Sequence, residues 1–143
     1  MKKIILILIF LNSYNAMGAF PILRISYDLN LKLSYGIGIF ITIEGDPFTE
    51  DGFNGPYYMY SKSIFKKRTN HSIGFQGGNG WASGQLGVNF MNIKRSDNLN
   101  DTYWGVEYNI HPLFLDLKVG LMGKQPFKRI SDLRINTSLG LGI

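Results

Sequence analysis

The sequence predicts an all-β fold, an antiparallel up-and-down β-barrel of about eight strands, and three observations support this prediction. Apolar and polar residues alternate along most of the chain, as in Leu115, Leu117, Val119 and Leu121, and a period of two places such residues on one face of a strand. No segment after the N-terminal apolar run shows a helical period. Several alternating segments are about 9 to 11 residues long, the length with which a tilted strand crosses a bilayer.

The N-terminal segment has the pattern of a secretory signal peptide. Lys2 and Lys3 form a charged start, residues 4–11 are an apolar run too short to span a bilayer, and residues 16–18 provide the small residues of a cleavage site. We therefore predict a signal peptide at residues 1–18 and a β-barrel domain at residues 19–143. The alternative is that the first segment is a buried strand or helix.

The composition narrows the possible functions. The chain has 143 residues, enough for one domain, and no cysteine, which excludes a disulfide framework and a cysteine-metal site. Its two histidines are far apart in the sequence, so we predict no metal site and no cofactor. The net charge of +5 falls to +3 without Lys2 and Lys3, a weak basis for a nucleic-acid partner, and none is predicted.

The longest alternation covers residues 25–43. A single strand of this length would extend roughly 60 Å, much more than usual, so we favour a hairpin over one continuous strand. A three-residue loop, Ser34-Tyr35-Gly36, would pair Leu33 with Ile37 and would place a glycine at the left-handed position that such loops favour.

The rest of the chain divides into six further predicted strands. Residues 44–56 are rich in turn-forming types and separate the hairpin from a third strand. Polar or glycine-rich turns are predicted at residues 66–70, 77–80, 94–101 and 122–130, and His111-Pro112 marks a short one. The six strands are predicted at residues 57–65, 71–76, 85–93, 104–110, 113–121 and 133–143.

Alternation by itself does not show which face of these strands is wet. A soluble sandwich or lipocalin-like barrel would turn its apolar side inward and could bind an apolar ligand there, whereas a transmembrane barrel turns its apolar side outward. Two features favour the membrane. Aromatic residues cluster near strand ends, as interface girdles would: Tyr57, Tyr58, Tyr60, Trp81, Tyr103, Trp104 and Phe127. The polar face has balanced charges that could form an interior ion-pair network: Arg24, Asp28, Lys32, Glu107, Asp116, Lys118, Asp132 and Arg134.

The end of the chain resembles the C-terminal strand of bacterial outer-membrane β-barrel proteins. Leu139, Leu141 and Ile143 alternate and place an apolar residue last, although that family usually ends in Phe or Trp. In size the nearest members are the small eight-stranded barrels of the OmpX/OmpA-like class. The resemblance implies a bacterial outer-membrane location, with the periplasm or secretion as the alternative. It also implies contact with outer-membrane lipid and recognition by the barrel-assembly machinery.

Basic residues concentrate in every second loop. In an up-and-down barrel, every second loop lies on the same side of the membrane. If the last strand ends in the periplasm, the loops at 66–70, 94–101 and 122–130 lie outside, and the acidic turn with Asp46, Glu50 and Asp51 lies on the opposite side. Such a rim would suit the phosphates of lipopolysaccharide. Its predicted members are Lys66, Lys67, Arg68, Lys94, Arg95, Lys124, Lys128 and Arg129.

The sequence predicts no catalytic residue. His71 and Ser72 are the one candidate base and nucleophile pair, but neighbours on a strand point to opposite faces. The motif of lipid A deacylase barrels is absent, and His111 precedes a proline in a turn. We therefore predict a small outer-membrane barrel with a packed, charge-paired interior and a structural or surface-interaction role. The alternatives are a lipocalin-like barrel that binds an apolar ligand and a barrel enzyme that modifies lipid A.

Overall fold

A computed structural model describes residues 18–47, 50–79, 81–95 and 99–142. The predicted signal peptide up to residue 17 and the terminal Ile143 lie outside the described residues. Among those described, no helix has the length and apolar character needed to cross a membrane. One short 3-10 helix, Ile130–Asp132, accompanies the strands. The strands are β1 (Ala19–Asp28), β2 (Lys32–Ile41), β3 (Glu44–Gly45), β4 (Phe53–Ser63), β5 (Arg68–Gly78), β6 (Ala82–Lys94), β7 (Asn100–Pro112), β8 (Leu115–Gln125) and β9 (Leu133–Gly142).

Eight of these strands form a closed barrel. Each of the eight pairs with its sequence neighbours in antiparallel register, in the order β2-β1-β9-β8-β7-β6-β5-β4, and pairing between β2 and β4 closes the sheet. The two-residue β3 pairs only with the start of β4, within the long loop that follows β2. The predicted fold class, an antiparallel up-and-down barrel of eight strands, is confirmed.

The first hairpin exists, but the predicted position of its turn was wrong. β1 and β2 pair Asp28 with Lys32 and Leu23 with Ile37, so the loop is Leu29-Asn30-Leu31. Carboxylate oxygen Oδ1 of Asp28 accepts the backbone N–H groups of Asn30 at 2.7 Å and Leu31 at 2.9 Å, which fixes this turn. An odd loop at either position preserves the alternation, so the parity of residues 25–43 could not distinguish between them.

Several strands extend beyond their predicted bounds. β1 begins at Ala19. The prediction missed its start because the first inward residues, Phe20 and Ile22, are apolar and break the alternation. β5 covers Arg68–Gly78, where only residues 71–76 were predicted. His111 and Pro112 end β7, and the turn itself consists of Leu113 and Phe114.

The barrel is apolar outside and polar inside. In β8, Val119 is 54% exposed on the outer face, whereas Asp116 on the inner face is fully buried. In the eight barrel strands, almost all outward residues are uncharged, and most are apolar or aromatic. The charged exceptions are Lys62 and Lys94, near one end. In water this surface would be an extensive exposed apolar patch, whereas in a bilayer it is the lipid-facing belt.

The lumen also contains two apolar clusters. One consists of Leu31, Met91, Ile93, Tyr103 and Met122, and the other of Phe40, Phe53, Tyr57 and Met59. Tyr57 reaches across to β6, where a Cβ atom at Gly87 would lie 2.4 Å from its hydroxyl and 2.7 Å from the backbone carbonyl oxygen of Ile73, so glycine makes room for both. Tyr57 and Tyr103 are therefore lumenal, and their predicted place in the interface girdles was wrong.

Candidate functional site

The connecting segments divide the barrel into two ends of opposite charge. The strand ends joined by the connections β1–β2, β4–β5, β6–β7 and β8–β9 lie together, and we call this the basic end. The strand ends joined by the connections β2–β4, β5–β6 and β7–β8 lie at the other end, which we call the acidic end because the sequence between β2 and β4 carries Glu44, Asp46, Glu50 and Asp51. All of the basic loop residues named in the sequence analysis lie in or beside the segments of the basic end.

Lys118 is the centre of the first of two buried polar groups in the lumen. Its ammonium Nζ lies 2.9 Å from Oδ2 of Asp28 and 3.9 Å from Oε2 of Glu107. Glu107 also accepts hydrogen bonds from the Ser72 hydroxyl and from Nδ2 of Asn89, the latter at 2.7 Å. One cation is thus shared by two carboxylates whose remaining oxygen sites are occupied by neutral donors, an arrangement that offsets the cost of burying them.

Arg24 and Asp116 form the second buried group, nearer the acidic end. Nε of Arg24 lies 2.8 Å from Oδ2 of Asp116, and Nδ1 of His111 lies 3.3 Å from Oδ1 of the same carboxylate. The Arg24 guanidinium also donates to Oε1 of Gln85 at 3.2 Å, and Nδ2 of Asn109 donates to the same oxygen at 2.9 Å. The group links β1, β6, β7 and β8 across the lumen.

Five of the eight predicted network residues are in these groups, and three are elsewhere. Lys32 begins β2 with φ 63°, and its ammonium lies 5.8 Å from the ring centroid of the outward Tyr27. Asp132 belongs to the 3-10 turn at the basic end, and Arg134 stacks over the Tyr103 ring at 4.7 Å. Alternation correctly placed Arg134 on the inward side. It could not show that Arg134, the second residue of β9, lies at the end of the barrel and not in its middle.

The neutral members of the network were not predicted from the sequence. Ser72, Gln85, Asn89 and Asn109 all occupy inward positions, and His111 completes the second group. A signal was present in the sequence. Each of these residues alternates with outward residues in its own strand, as Glu107 does in β7. They were missed because uncharged polar residues on a strand are also expected on a solvated face.

The basic end exposes most of its cations. Lys66, Lys67, Lys94, Lys128 and Arg129 are all exposed side chains. For Lys124 and Arg68 the structure identifies the partner. Nζ of Lys124 lies 2.9 Å from Oδ1 of Asp101, and the Arg68 guanidinium donates to the backbone carbonyl of Asn30.

Asp132 orders the last loop of the basic end. Its Oδ2 accepts the backbone N–H groups of Lys128 at 3.0 Å and Arg129 at 2.9 Å, and these bonds hold the pKa of its carboxyl below the ordinary value. The carboxylate therefore stays charged and keeps its two bonds at neutral pH. The local net charge is reduced, but both cationic side chains remain exposed.

His71 and Ser72 lie on opposite sides of the sheet. Nδ1 of His71 is 2.8 Å from the Tyr58 hydroxyl on the outer surface, whereas Ser72 is buried in the lumen against Glu107. The two side chains therefore cannot act as base and nucleophile for one another. Within the described residues, no cluster of three or more histidine, aspartate or glutamate side chains is arranged to hold a metal ion.

The comparisons with known proteins give a structural similarity and no sequence match. No protein-family model matches the chain, and no curated protein matches it. Among solved structures, the chain is similar to the outer membrane protein Ail of Yersinia pestis, whose backbone structure was determined in a phospholipid bilayer nanodisc. The sequences are 14% identical, the match covers 87% of this chain and 98% of that chain, and the TM-score is 0.34.

The class of the protein follows from its own two surfaces. The outward belt is apolar over strands of 10 to 13 residues, long enough to cross a bilayer when tilted. The lumen holds buried ion pairs and amides, and closure leaves no unpaired sheet edge in the lipid. The chain is a small membrane-spanning β-barrel whose lumen is largely filled by its own side chains.

Proposed function

We propose that this barrel resides in a bacterial outer membrane with its basic end outward, where exposed cations bind the phosphates of lipopolysaccharide. In this proposal the lumenal network is structural, and contact with the lipid surface is the function. The observation that carries the proposal is the separation of charge, with the exposed cations at one end and an acidic loop at the other.

The arrangement of the cations supports phosphate binding rather than general solubility. Lys66 and Lys67 lie in the β4–β5 turn, Arg95 follows β6, and Lys128 and Arg129 lie in the β8–β9 loop, so the cations surround the barrel mouth. Two carboxylates among the described residues of this end have their own partners, Asp101 with Lys124 and Asp132 with backbone amides. A ring of cations at the level of lipid headgroups suits anionic lipid phosphates.

Neutralising two rim lysines should weaken lipopolysaccharide binding. Each cation near an anionic lipid surface contributes about 1 kcal/mol, so we expect Lys66→Gln/Lys67→Gln to lower affinity about thirtyfold. Binding of purified lipopolysaccharide to the barrel in neutral micelles would be measured by titration calorimetry at low and high salt. Dephosphorylated lipopolysaccharide should bind weakly to the parent protein.

The matched control removes charge from the acidic end. Glu50→Gln/Asp51→Asn changes the same number of exposed charges and should leave lipopolysaccharide affinity unchanged or slightly higher. Equal affinity of the parent and the lysine variant, or equal binding of dephosphorylated lipid, would rule out phosphate recognition by the basic end.

The location is tested separately by membrane fractionation. We expect the expressed full chain in the outer-membrane fraction, with a heat-dependent shift in gel mobility as the barrel unfolds. The outward Leu139 and Leu141 of β9 support recognition by the assembly machinery through the last strand. Recovery of folded protein in the soluble periplasmic fraction would contradict the proposed location.

The lipocalin-like alternative needs the opposite arrangement of the two faces. A soluble barrel that binds an apolar ligand has an apolar lumen and a wet exterior. Here Asp28, Asn89 and Asn109 are fully buried inside, while Leu117 and Leu139 are outside. The polar lumen therefore favours the membrane proposal over this alternative.

A further inference from the structure

A cavity of about 280 Å³ lies in the lumen at the acidic end. Its lining comes from strand ends and from the turns that join them there, including Pro47 in the acidic loop, Trp81 and Leu113. The basic end and its exposed cations take no part in it. A cavity of this size suits a small ligand rather than a lipid or a peptide.

The cavity has one aromatic side. Phe20, Phe40 and Phe53 come from β1, β2 and β4, which are adjacent in the closed sheet. The rings of Phe20 and Phe40 stack with centroids 6.4 Å apart, and Phe40 meets Phe53 edge-on at 5.2 Å. Such a wall offers apolar contact and, at ring faces, attraction for a cation.

The other side of the cavity is polar but has no excess positive charge. Arg24, Gln85 and His111 line it, and the guanidinium charge of Arg24 is matched by Asp116 at 2.8 Å. The lining as described contains no carboxylate, and its one cation is paired, so the wall itself adds no net charge. Selection by charge therefore comes from the segments around the opening.

The approach to the cavity is rich in negative charge. The loop of residues 42–52 contains Glu44, Asp46, Glu50 and Asp51 and no lysine or arginine, and the turns at 79–81 and 113–114 contain no charged residue. Charges of one sign around an opening concentrate ions of the opposite sign there. Anions are repelled from the same opening.

We propose that this cavity binds a small organic cation, an ammonium or guanidinium group attached to an aryl or short alkyl body. The aromatic wall receives the apolar body and attracts a cation at its ring faces, and the acidic loop favours the cationic group at the opening. This site is independent of lipopolysaccharide binding, because it lies at the opposite end of the barrel and uses none of the same residues.

The two tryptophans allow a direct test in the unmodified protein. Trp81 lines the cavity, whereas Trp104 lies outward on β7 toward the basic end. The ¹⁵N-labelled barrel in neutral micelles would be titrated with benzyltrimethylammonium, benzyl alcohol and phenylacetate, three probes with the same aromatic body. We expect saturable shifts of the Trp81 indole N–H only, with the cation bound about tenfold more tightly than the carboxylate.

Each other outcome of this titration counts against the proposal. Equal or tighter binding of phenylacetate would mean that Arg24 and His111 determine selectivity. Parallel, non-saturating shifts at Trp81 and Trp104 would mean that the probes only partition into the micelle. No shift at Trp81 with any probe would mean that the cavity binds none of these classes.

Surface variants test the electrostatic part without changing the barrel wall. Glu50→Gln/Asp51→Asn should weaken binding of benzyltrimethylammonium severalfold at low salt, and the difference should disappear at about 1 M salt, where the Debye length is about 3 Å. Lys66→Gln/Lys67→Gln at the basic end should have no effect. Unchanged cation affinity in the acidic-loop variant at low salt would contradict selection by the loop.

Discussion

Replacing Lys118 with methionine is expected to lower the free energy of unfolding by about 3–5 kcal/mol, because it leaves two buried carboxylates without their cation. Nζ of Lys118 is 2.9 Å from Asp28 and 3.9 Å from Glu107, and both carboxylates are buried. Methionine retains most of the apolar stem, so the lost charge dominates the change. Equilibrium unfolding in urea, with the barrel in lipid vesicles, would measure the effect.

The matched control is the same substitution six positions further along the same strand. Lys124 in β8 also forms an ion pair at 2.9 Å, with Asp101, but its side chain is 36% exposed. Exposed pairs contribute about 0–1 kcal/mol, so Lys124→Met should change stability little. Equal effects of the two substitutions would show that the lumenal network is solvated and that burial does not set its contribution.

Replacing Val119 with arginine is expected to destabilise the inserted barrel by about 2–4 kcal/mol. Val119 is outward, 54% exposed, and near the middle of β8, so an arginine there would sit at the centre of the lipid belt. In water the same substitution on an exposed strand residue would be within about 0.5 kcal/mol. The measurement is again urea unfolding from vesicles, compared with the parent protein.

The depth dependence provides the control for this second substitution. Leu115 is also outward on β8 but begins the strand at the acidic end, where a charge can reach the interface. Leu115→Arg should therefore cost only about 0–1 kcal/mol. Equal costs at the two positions would contradict the placement of β8 across the bilayer.

The alternation of the last three strands predicted the fold and predicted which charged residues face the lumen. In β7, β8 and β9 the outward residues of the central part are mostly apolar or aromatic, and Glu107, Asp116 and Lys118 lie inward as their parity indicates. β4 was less clear, since Tyr57 and Met59 face inward while Tyr58 and Tyr60 face outward. Aromatic residues on both faces weaken a period-two pattern, because both sites can accept them.

The sequence could not provide depth or partner identity. Lys32 and Arg134 both have the parity of inward residues, but neither joins the lumenal network. The Lys32 ammonium lies over the outward Tyr27, and the Arg134 guanidinium stacks over Tyr103 near the basic end. Pairing choices within the lumen depend on how far each strand is displaced along its neighbour, which alternation does not specify. The role of His111 was missed for this reason, because its neighbour Asp116 follows a turn and reaches it from the adjacent strand.

Lipid exposure along β8 tests the central claim most directly. The chain has no cysteine, so single cysteines at positions 115, 117, 119, 121 and 122 can each carry a nitroxide label in vesicle-inserted protein while the Asp116 and Lys118 ion pairs stay intact. We predict that labels at 115, 117, 119 and 121 are reached by oxygen dissolved in lipid and that the label at the lumenal position 122 is protected. Access of a water-soluble reagent to the odd positions, or equal oxygen access at 121 and 122, would contradict a barrel with its apolar face in the membrane.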